Sequence, residues 1–249
     1  MTTQFKSTVI FSDGACTGNP GPGGWATIIA EPDGQITELG GKEAPTTNNR
    51  MEIRGALEGL RALKAPYPHP IVIYTDSTYV IRGITQWIWA WRARGWKNAE
   101  GNDVSNRELW EQLARELLRL KPTAVEWKYV RGHTGVPGNE RCDEIAVGFA
   151  NGKWVELYKG SLLQYDVAIH DLPEDQELPE MRPKEKKAPA FSYLSYQGGV
   201  VRRHMTWAEC ERRVKGQSQA KFKKAMSEQD EVEILKSWGL GPATKIVVE

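Results

Sequence analysis

The chain has little cysteine, no dominant charge and no long apolar run, and each shortage excludes something. Cys16, Cys142 and Cys210 are its only cysteines; they are odd in number, far apart and without C-x-x-C spacing, which excludes a disulfide framework and a cysteine zinc or dithiol redox site. The longest stretch free of charged residues, Gly14 to Ala30, opens with glycine and proline, so no segment is predicted to span a membrane. Only Lys6 precedes the apolar run from Thr8 to Phe11. That pattern makes no secretory signal, and a cytoplasmic protein is expected. With 33 Lys and Arg against 32 Asp and Glu, the formal net charge is +1, and total charge does not choose a partner. What remains is 249 residues and 28.0 kDa with 40% hydrophobic and 26% charged residues. That is enough to bury a core in one large domain, or in one medium and one small.

The distribution of charge is more telling than its sum. Residues 1–158 hold 18 side chains of each sign, 159–187 hold five basic and seven acidic, and 188–249 hold ten and seven. The middle stretch scatters Pro173, Pro179, Pro183 and Pro189 among acidic and basic side chains, a composition typical of a solvated tether. The predicted organisation is a first domain at 1–158, a charged Pro-containing linker at 159–190, a small basic domain at 191–240 and a tail at 241–249.

In the first domain, Thr8 to Ser12 reads as a strand, and a Gly-rich turn leads to strands at Trp25 to Ala30 and Gln35 to Leu39, joined by Pro32-Asp33-Gly34. Ile53, Ala56, Leu57 and Leu60 keep helical spacing between Arg50 and Lys64. Ile71 to Tyr74 is a short strand with a helix after it. Ser105 and Glu108 have capping-box spacing ahead of Leu109, Leu113, Leu117 and Leu120, and Val125, Trp127 and Tyr129 alternate as a strand. Asn139 to Ala150 closes the order β-β-β-α-β-α-α-β-α, a mixed sheet flanked by helices.

Four carboxylates stand where catalytic groups tend to stand: Asp13 and Asp76 at strand ends, Glu52 in the first turn of a helix and Asp143 in the last helix. Singly each has a plainer use, as a turn, cap or solvated side chain. Brought together they would repel unless cations neutralised them, and such hard oxygen ligands suit Mg²⁺ or Mn²⁺.

The surrounding blocks carry a resemblance. DGACTGNPGPGGWA from Asp13 to Ala26, TTNNRME from Thr46 to Glu52, YTDS from Tyr74 to Ser77, GHTG from Gly132 to Gly135 and NERCDE from Asn139 to Glu144 resemble, in order and separation, the motifs of bacterial ribonuclease HI. The resemblance covers residues 5–155. It implies a ribonuclease H fold, with a mixed five-stranded sheet flanked by helices, and hydrolysis of the RNA strand of an RNA/DNA hybrid to 5′-phosphate and 3′-hydroxyl ends. It implies that Asp13, Glu52, Asp76 and Asp143 hold two Mg²⁺ ions, with Mn²⁺ as a substitute, and that His133 assists proton transfer or product departure. It further implies that Cys16, Asn19, Asn48 and Asn49 line the hybrid's minor groove, and that Arg50 and Asn139 support the scissile phosphate. Between Asp76 and Glu100 there is no acidic residue, while Arg82, Arg92, Arg94 and Lys97 alternate with Trp87, Trp89, Trp91 and Trp96. This resembles the family's basic protrusion, which grips the DNA strand, and Trp87, Trp91 and Arg92 are the expected contacts. At least one of the four tryptophans is expected to be buried.

Residues 200–225 carry eight basic and two acidic side chains. Thr206 and Glu209 again have capping-box spacing, Trp207, Cys210 and Val214 share a helical stripe, and Ser227 can start a second helix with Val232, Leu235 and Trp238 inward. TWAEC from Thr206 to Cys210, Val214 and KFKK from Lys221 to Lys224 resemble the hybrid-binding domain of eukaryotic ribonucleases H and viroplasmin-type proteins, there N-terminal and here C-terminal. The resemblance implies a small α/β domain in which Tyr193, Trp207, Phe222, Lys223 and Lys224 contact the DNA strand, with double-stranded RNA as a second ligand. Buried core aromatics and a solvated lysine face are the competing reading. A monomer is expected. The alternatives for the whole chain are a non-catalytic nucleic-acid-binding module on the same fold, whose mark would be a missing carboxylate, and a different nuclease chemistry such as junction resolution.

Overall fold

The computed structural model describes residues 6–174, 176–180, 190–241 and 244–248. It divides into two compact units, Met1–Pro179 and Glu180–Glu249.

The first unit is built on one mixed sheet. Strands β1 (Thr8–Cys16), β2 (Gly21–Ala30) and β3 (Gln35–Thr46) form an antiparallel meander, and helix α1 (Asn48–Ala62) leads to β4 (Ile71–Thr75). A helical run follows as α2 (Thr78–Arg82), a π-helical turn (Gly83–Trp87) and α3 (Ile88–Ala93). Then come α4 (Arg107–Arg119), β5 (Val125–Tyr129) and α5 (Pro137–Ala150). The predicted order of elements is present, with longer strands: the Gly-rich stretch from Gly21 continues as β2 rather than turning, because its backbone keeps pairing with β1 as far as Cys16 opposite Gly23.

The sheet has six strands rather than five. A short β6 (Lys159–Ser161) pairs with β3 and completes the order β5-β4-β1-β2-β3-β6. Residues 159–179, which by composition read as linker, therefore still belong to the first unit, and Ile169 is buried in its core; 181–189 of that predicted linker lie outside the described residues. Strand alternation sorts the core into two faces. Ile10 packs with Ile53, Leu57, Leu60 and Trp110 under α1 and α4, while Val9, Phe11 and Ile28 pack with Cys142, Ile145 and Ala146 of α5. The capping box predicted at Ser105 and Glu108 does not form: Asn106 caps α4 in a left-handed conformation with no side-chain cap, and Glu108 instead accepts a bond from Arg50.

The second unit is a four-stranded sheet, order β10-β8-β7-β9, made of β7 (Ser192–Gln197), β8 (Val200–His204), β9 (Lys221–Ala225) and β10 (Ile246–Val248) with helices α6 (Trp207–Val214) and α7 (Glu228–Ser237). The β-branched Ile246-Val247-Val248, expected in a tail, pairs in parallel with β8. Here the capping box forms, with Thr206 and Glu209 bonding each other's backbone amides. Leu194, Val201, Ala225, Ile234 and Leu235 make the core. Val232, expected inward, is exposed, since Ile234 and Glu231 take the inner positions of α7. No helix among the described residues is long and apolar enough to cross a membrane.

Candidate active site

Strand pairing brings the first two carboxylates together. Phe11 of β1 lies opposite Tyr74 of the parallel β4, so two residues further along each chain Asp13 and Asp76 stand side by side. Asp13 is buried and its Oδ1 accepts a bond of 2.6 Å from the Gly14 amide. Gly14 is what lets α1 approach: a Cβ there would lie 2.2 Å from the Glu52 amide nitrogen. Glu52 sits one turn further into α1 than expected, because the helix begins at Asn48. Its two oxygens accept bonds from Asn48 Nδ2 at 2.8 Å and Ser77 Oγ at 2.6 Å. Ser77 also receives the Val80 amide and so caps the helical run after β4. The residue was not singled out from sequence, although its place directly after Asp76 in the YTDS block was a usable signal.

The fourth carboxylate comes from α5. Asn139, one turn before Asp143 on α5, is buried and hydrogen-bonds Asp76, while its own Oδ1 is buried without a partner. His133 lies on an exposed loop with positive φ (54°). The neighbouring Gly132 lets this loop pass against Asp76, since a Cβ there would be 2.4 Å from Asp76 Oδ2.

The charges register one another. Burial, followed by Asp76 and then by Asp143 and Glu52, pushes the Asp13 carboxyl up to about 8. Burial also raises Glu52, against the bond from Ser77 and together with the charge of Asp76. Burial raises Asp76 as well, against the Asn139 bond and the charge of His133 and together with Asp143. Such mutual raising marks an anionic cluster that a cation would relieve.

Residues 5–151 match the ribonuclease H family model. The chain belongs to the ribonuclease H family. It is therefore an enzyme, a hydrolase and a nuclease. It is 49% identical over 148 residues to a ribonuclease H of Cyanothece sp., a match covering 59% of this chain and 92% of that protein. It is 51% identical over 141 residues to the ribonuclease H of Cupriavidus metallidurans, covering 57% and 93%. Among solved structures, LC9-RNase H1, described as a type 1 RNase H with the type 2 active-site motif, is 31% identical with a TM-score of 0.54, covering 64% of this chain and 80% of that one. The family match ends at residue 151 and leaves the second unit unassigned.

The carboxylates of this ribonuclease H unit fit a divalent cation by donor chemistry, since all are hard oxygen ligands packed against like charge. As placed, no three Asp, Glu, His or Cys side chains among the described residues converge on one ion position. Glu52 is turned toward Asn48 and Ser77.

The other sequence-predicted residues spread around this centre. Cys16 is partly exposed with Sγ 3.5 Å from the Thr46 carbonyl, and Asn19 and Asn49 are exposed. Arg50 is committed elsewhere, to Glu43 at 3.3 Å and Glu108 at 2.5 Å. Trp87 and Trp91, expected as the substrate-facing pair, are half-buried in an aromatic cluster with Tyr79 and Trp110. Trp89 is the exposed one, at 66%, with Arg92 over its ring at 5.9 Å. The reason is spacing: residues one turn apart on the run share the inward face, which leaves the residue between them outward.

In the second unit, Trp207 touches Tyr193 and Phe222 with ring centroids 5.8 and 5.3 Å apart. Strand alternation places Lys224, opposite Tyr193, on the same sheet face, and Lys223, opposite Leu194, on the other. The two lysines expected to act together thus stand on opposite faces.

Proposed function

We propose that this chain cleaves the RNA strand of RNA/DNA hybrids, with Asp13, Glu52, Asp76 and Asp143 holding two Mg²⁺ ions, which Mn²⁺ can replace. The observation that carries the reading is the burial of Asp13 of β1 within reach of the charges of Asp76 after β4, Asp143 of α5 and Glu52 of α1. The bound ions supply activation of water and charge stabilisation of the leaving oxygen. The chain's own residues set the geometry. Asn48 and Ser77 orient Glu52, and Asn139 orients Asp76. In the reaction a water oxygen bonds to phosphorus, the bond from phosphorus to the 3′ oxygen breaks, and a proton returns to that oxygen. His133, exposed beside Asp76, moves the proton or helps the product leave. Asn19, Asn49 and Cys16 line the approach to the RNA strand, where the 2′-hydroxyl distinguishes it. Trp89 and Arg92 take the DNA backbone in place of the inward Trp87 and Trp91.

The second unit is read as an auxiliary binder of hybrid. Support comes from Trp207 and Phe222, 40% and 51% exposed, grouped with Tyr193 and Lys224 on one face. Such a face offers rings to sugars and cations to phosphates, and a tethered second site raises effective concentration without altering the chemistry.

The test is cleavage of end-labelled hybrid, double-stranded RNA, single-stranded RNA and double-stranded DNA by the full chain, with and without Mg²⁺. Metal-dependent cutting confined to the RNA of the hybrid is expected. Cutting of double-stranded DNA, or of hybrid in chelator, would overturn the reading.

A further inference from the structure

We propose that Gln176 is a positioning residue which clamps the base of the His133 loop against Asp76. The proposal rests on the reading of His133 given above and adds to it a residue outside the family-matched region, which ends at 151. Strand β5 is an edge strand of the first unit's sheet, and edge strands leave amides and carbonyls facing solvent. The chain's own return segment covers part of that edge. Gln176 forms an antiparallel bridge with Tyr129, the last residue of β5, and its Oε1 accepts the Arg131 amide at 2.9 Å.

Arg131 opens the His133 loop. Its carbonyl accepts the Thr134 hydroxyl at 2.6 Å, closing the loop on itself, and the far side is fixed by the Gly135 amide bonding Glu140 Oε1 of α5 at 2.9 Å. One side of the loop is therefore tied to the α5 that carries Asp143, and the other to a side chain more than 40 residues downstream. The segment itself is anchored upstream by Ile169, buried in the core, and downstream by Arg82, which donates to the Pro179 carbonyl. Beneath it is a cavity of about 250 Å³ lined by Ile81, Trp127, Tyr129, Gln176 and Leu178. Between those anchors the Arg131 amide donates to an exposed glutamine side chain, so loss of that side chain removes the clamp without opening the core.

The consequence is kinetic. A looser Arg131 base lets His133 sample positions away from Asp76 and slows turnover, while substrate binding, made elsewhere, is unchanged. The experiment compares wild type, Gln176→Ala and Gln176→Glu in the full chain, each also in a His133→Ala background, by steady-state hybrid cleavage and by amide hydrogen exchange. For Gln176→Ala, kcat is expected to fall by about three- to tenfold with KM unchanged. Exchange across Arg131–Gly135 should speed up by about tenfold. Gln176→Glu, which keeps an acceptor oxygen, should recover both. In the His133→Ala background, Gln176→Ala should cost nothing further, because the two residues act as a unit. Unchanged exchange in Gln176→Ala would overturn the clamp, and an equal loss of kcat with or without His133 would overturn its route through that residue. Wild-type kcat in His133→Ala alone would overturn the reading of His133, and the exchange arm would still decide whether Gln176 holds the loop.

Discussion

Among the described residues of the first unit two carboxylates are buried, Asp13 at 7% exposure and Glu38 at 3%, and their surroundings push them in opposite directions. Burial raises Glu38 too, but Arg141 (2.8 and 3.0 Å), the Tyr165 hydroxyl (2.6 Å) and the Tyr158 amide (2.9 Å) all donate to it, and the net effect holds it below the usual carboxylate range. Asp13 has one backbone amide and three neighbouring carboxylates, and stands far above that range. Burial alone does not decide which way a carboxyl shifts; the supply of donors does. Helix α5 serves both, with Arg141 directed to Glu38 and Asp143 belonging to the anionic cluster.

The contrast can be broken in order of size. Asp13→Asn should cost hybrid cleavage about 10⁴-fold, several kcal/mol of barrier, while hybrid binding by gel shift persists. Cleavage at the wild-type rate would remove Asp13 from the chemistry. Glu38→Ala should do the reverse. Leaving Arg141 without its buried partner should lower stability in urea unfolding by about 3 kcal/mol, with kcat little changed wherever the protein is folded. If stability is unchanged, Glu38 is not the tie described. The pH dependence sharpens the same point. Glu38 is held below its ordinary 4.5, so its contribution is complete above that value and is lost as pH falls through it toward the folded-state value. Between about pH 5 and pH 3 the melting temperature of wild type should therefore fall more steeply than that of Glu38→Ala; parallel curves would contradict it. The smallest effect extends the contrast to the second unit, where Glu231 is buried and met by Arg203 and Ser192 while Trp207 and Phe222 stay exposed. Trp207→Ala with Phe222→Ala should weaken hybrid binding by the full chain about five- to tenfold at unchanged kcat, and unaltered affinity would take that face out of the binding account.

Local patterns were legible in the sequence, and distant pairings were not. Alternation in Val125 to Tyr129 and the helical stripe of Ile53, Leu57 and Leu60 report their own burial within a few residues. The motif blocks singled out Asp13, Glu52, Asp76 and Asp143, and in the fold the last three bear on the charge of the first. Two capping boxes of equal quality on paper had different fates. Thr206 and Glu209 bond each other, while Glu108 is drawn away by Arg50, 58 residues earlier. Trp87, Trp89 and Trp91 could not be sorted without knowing that Trp110 of α4 would pack against one side of the run. The return segment read as linker because it is held by scattered single anchors, Ile169 and Gln176, in a polar stretch whose composition carries no periodicity. Glu38 was invisible for a similar reason, its partners lying more than a hundred residues away.

Gly14 adds a consequence of another kind. The space a methyl group would need there is already filled by the backbone of α1, 2.2 Å from where that methyl would sit. Adding it would force strand and helix apart and carry Asp13 away from Glu52, and a displacement of roughly 1 Å at a reacting centre can cost about a hundredfold in rate. In a mutational scan scored by activity, position 14 should thus look like a reactive residue although it has no side chain. A library chosen only from groups that can bind or transfer something would pass over it.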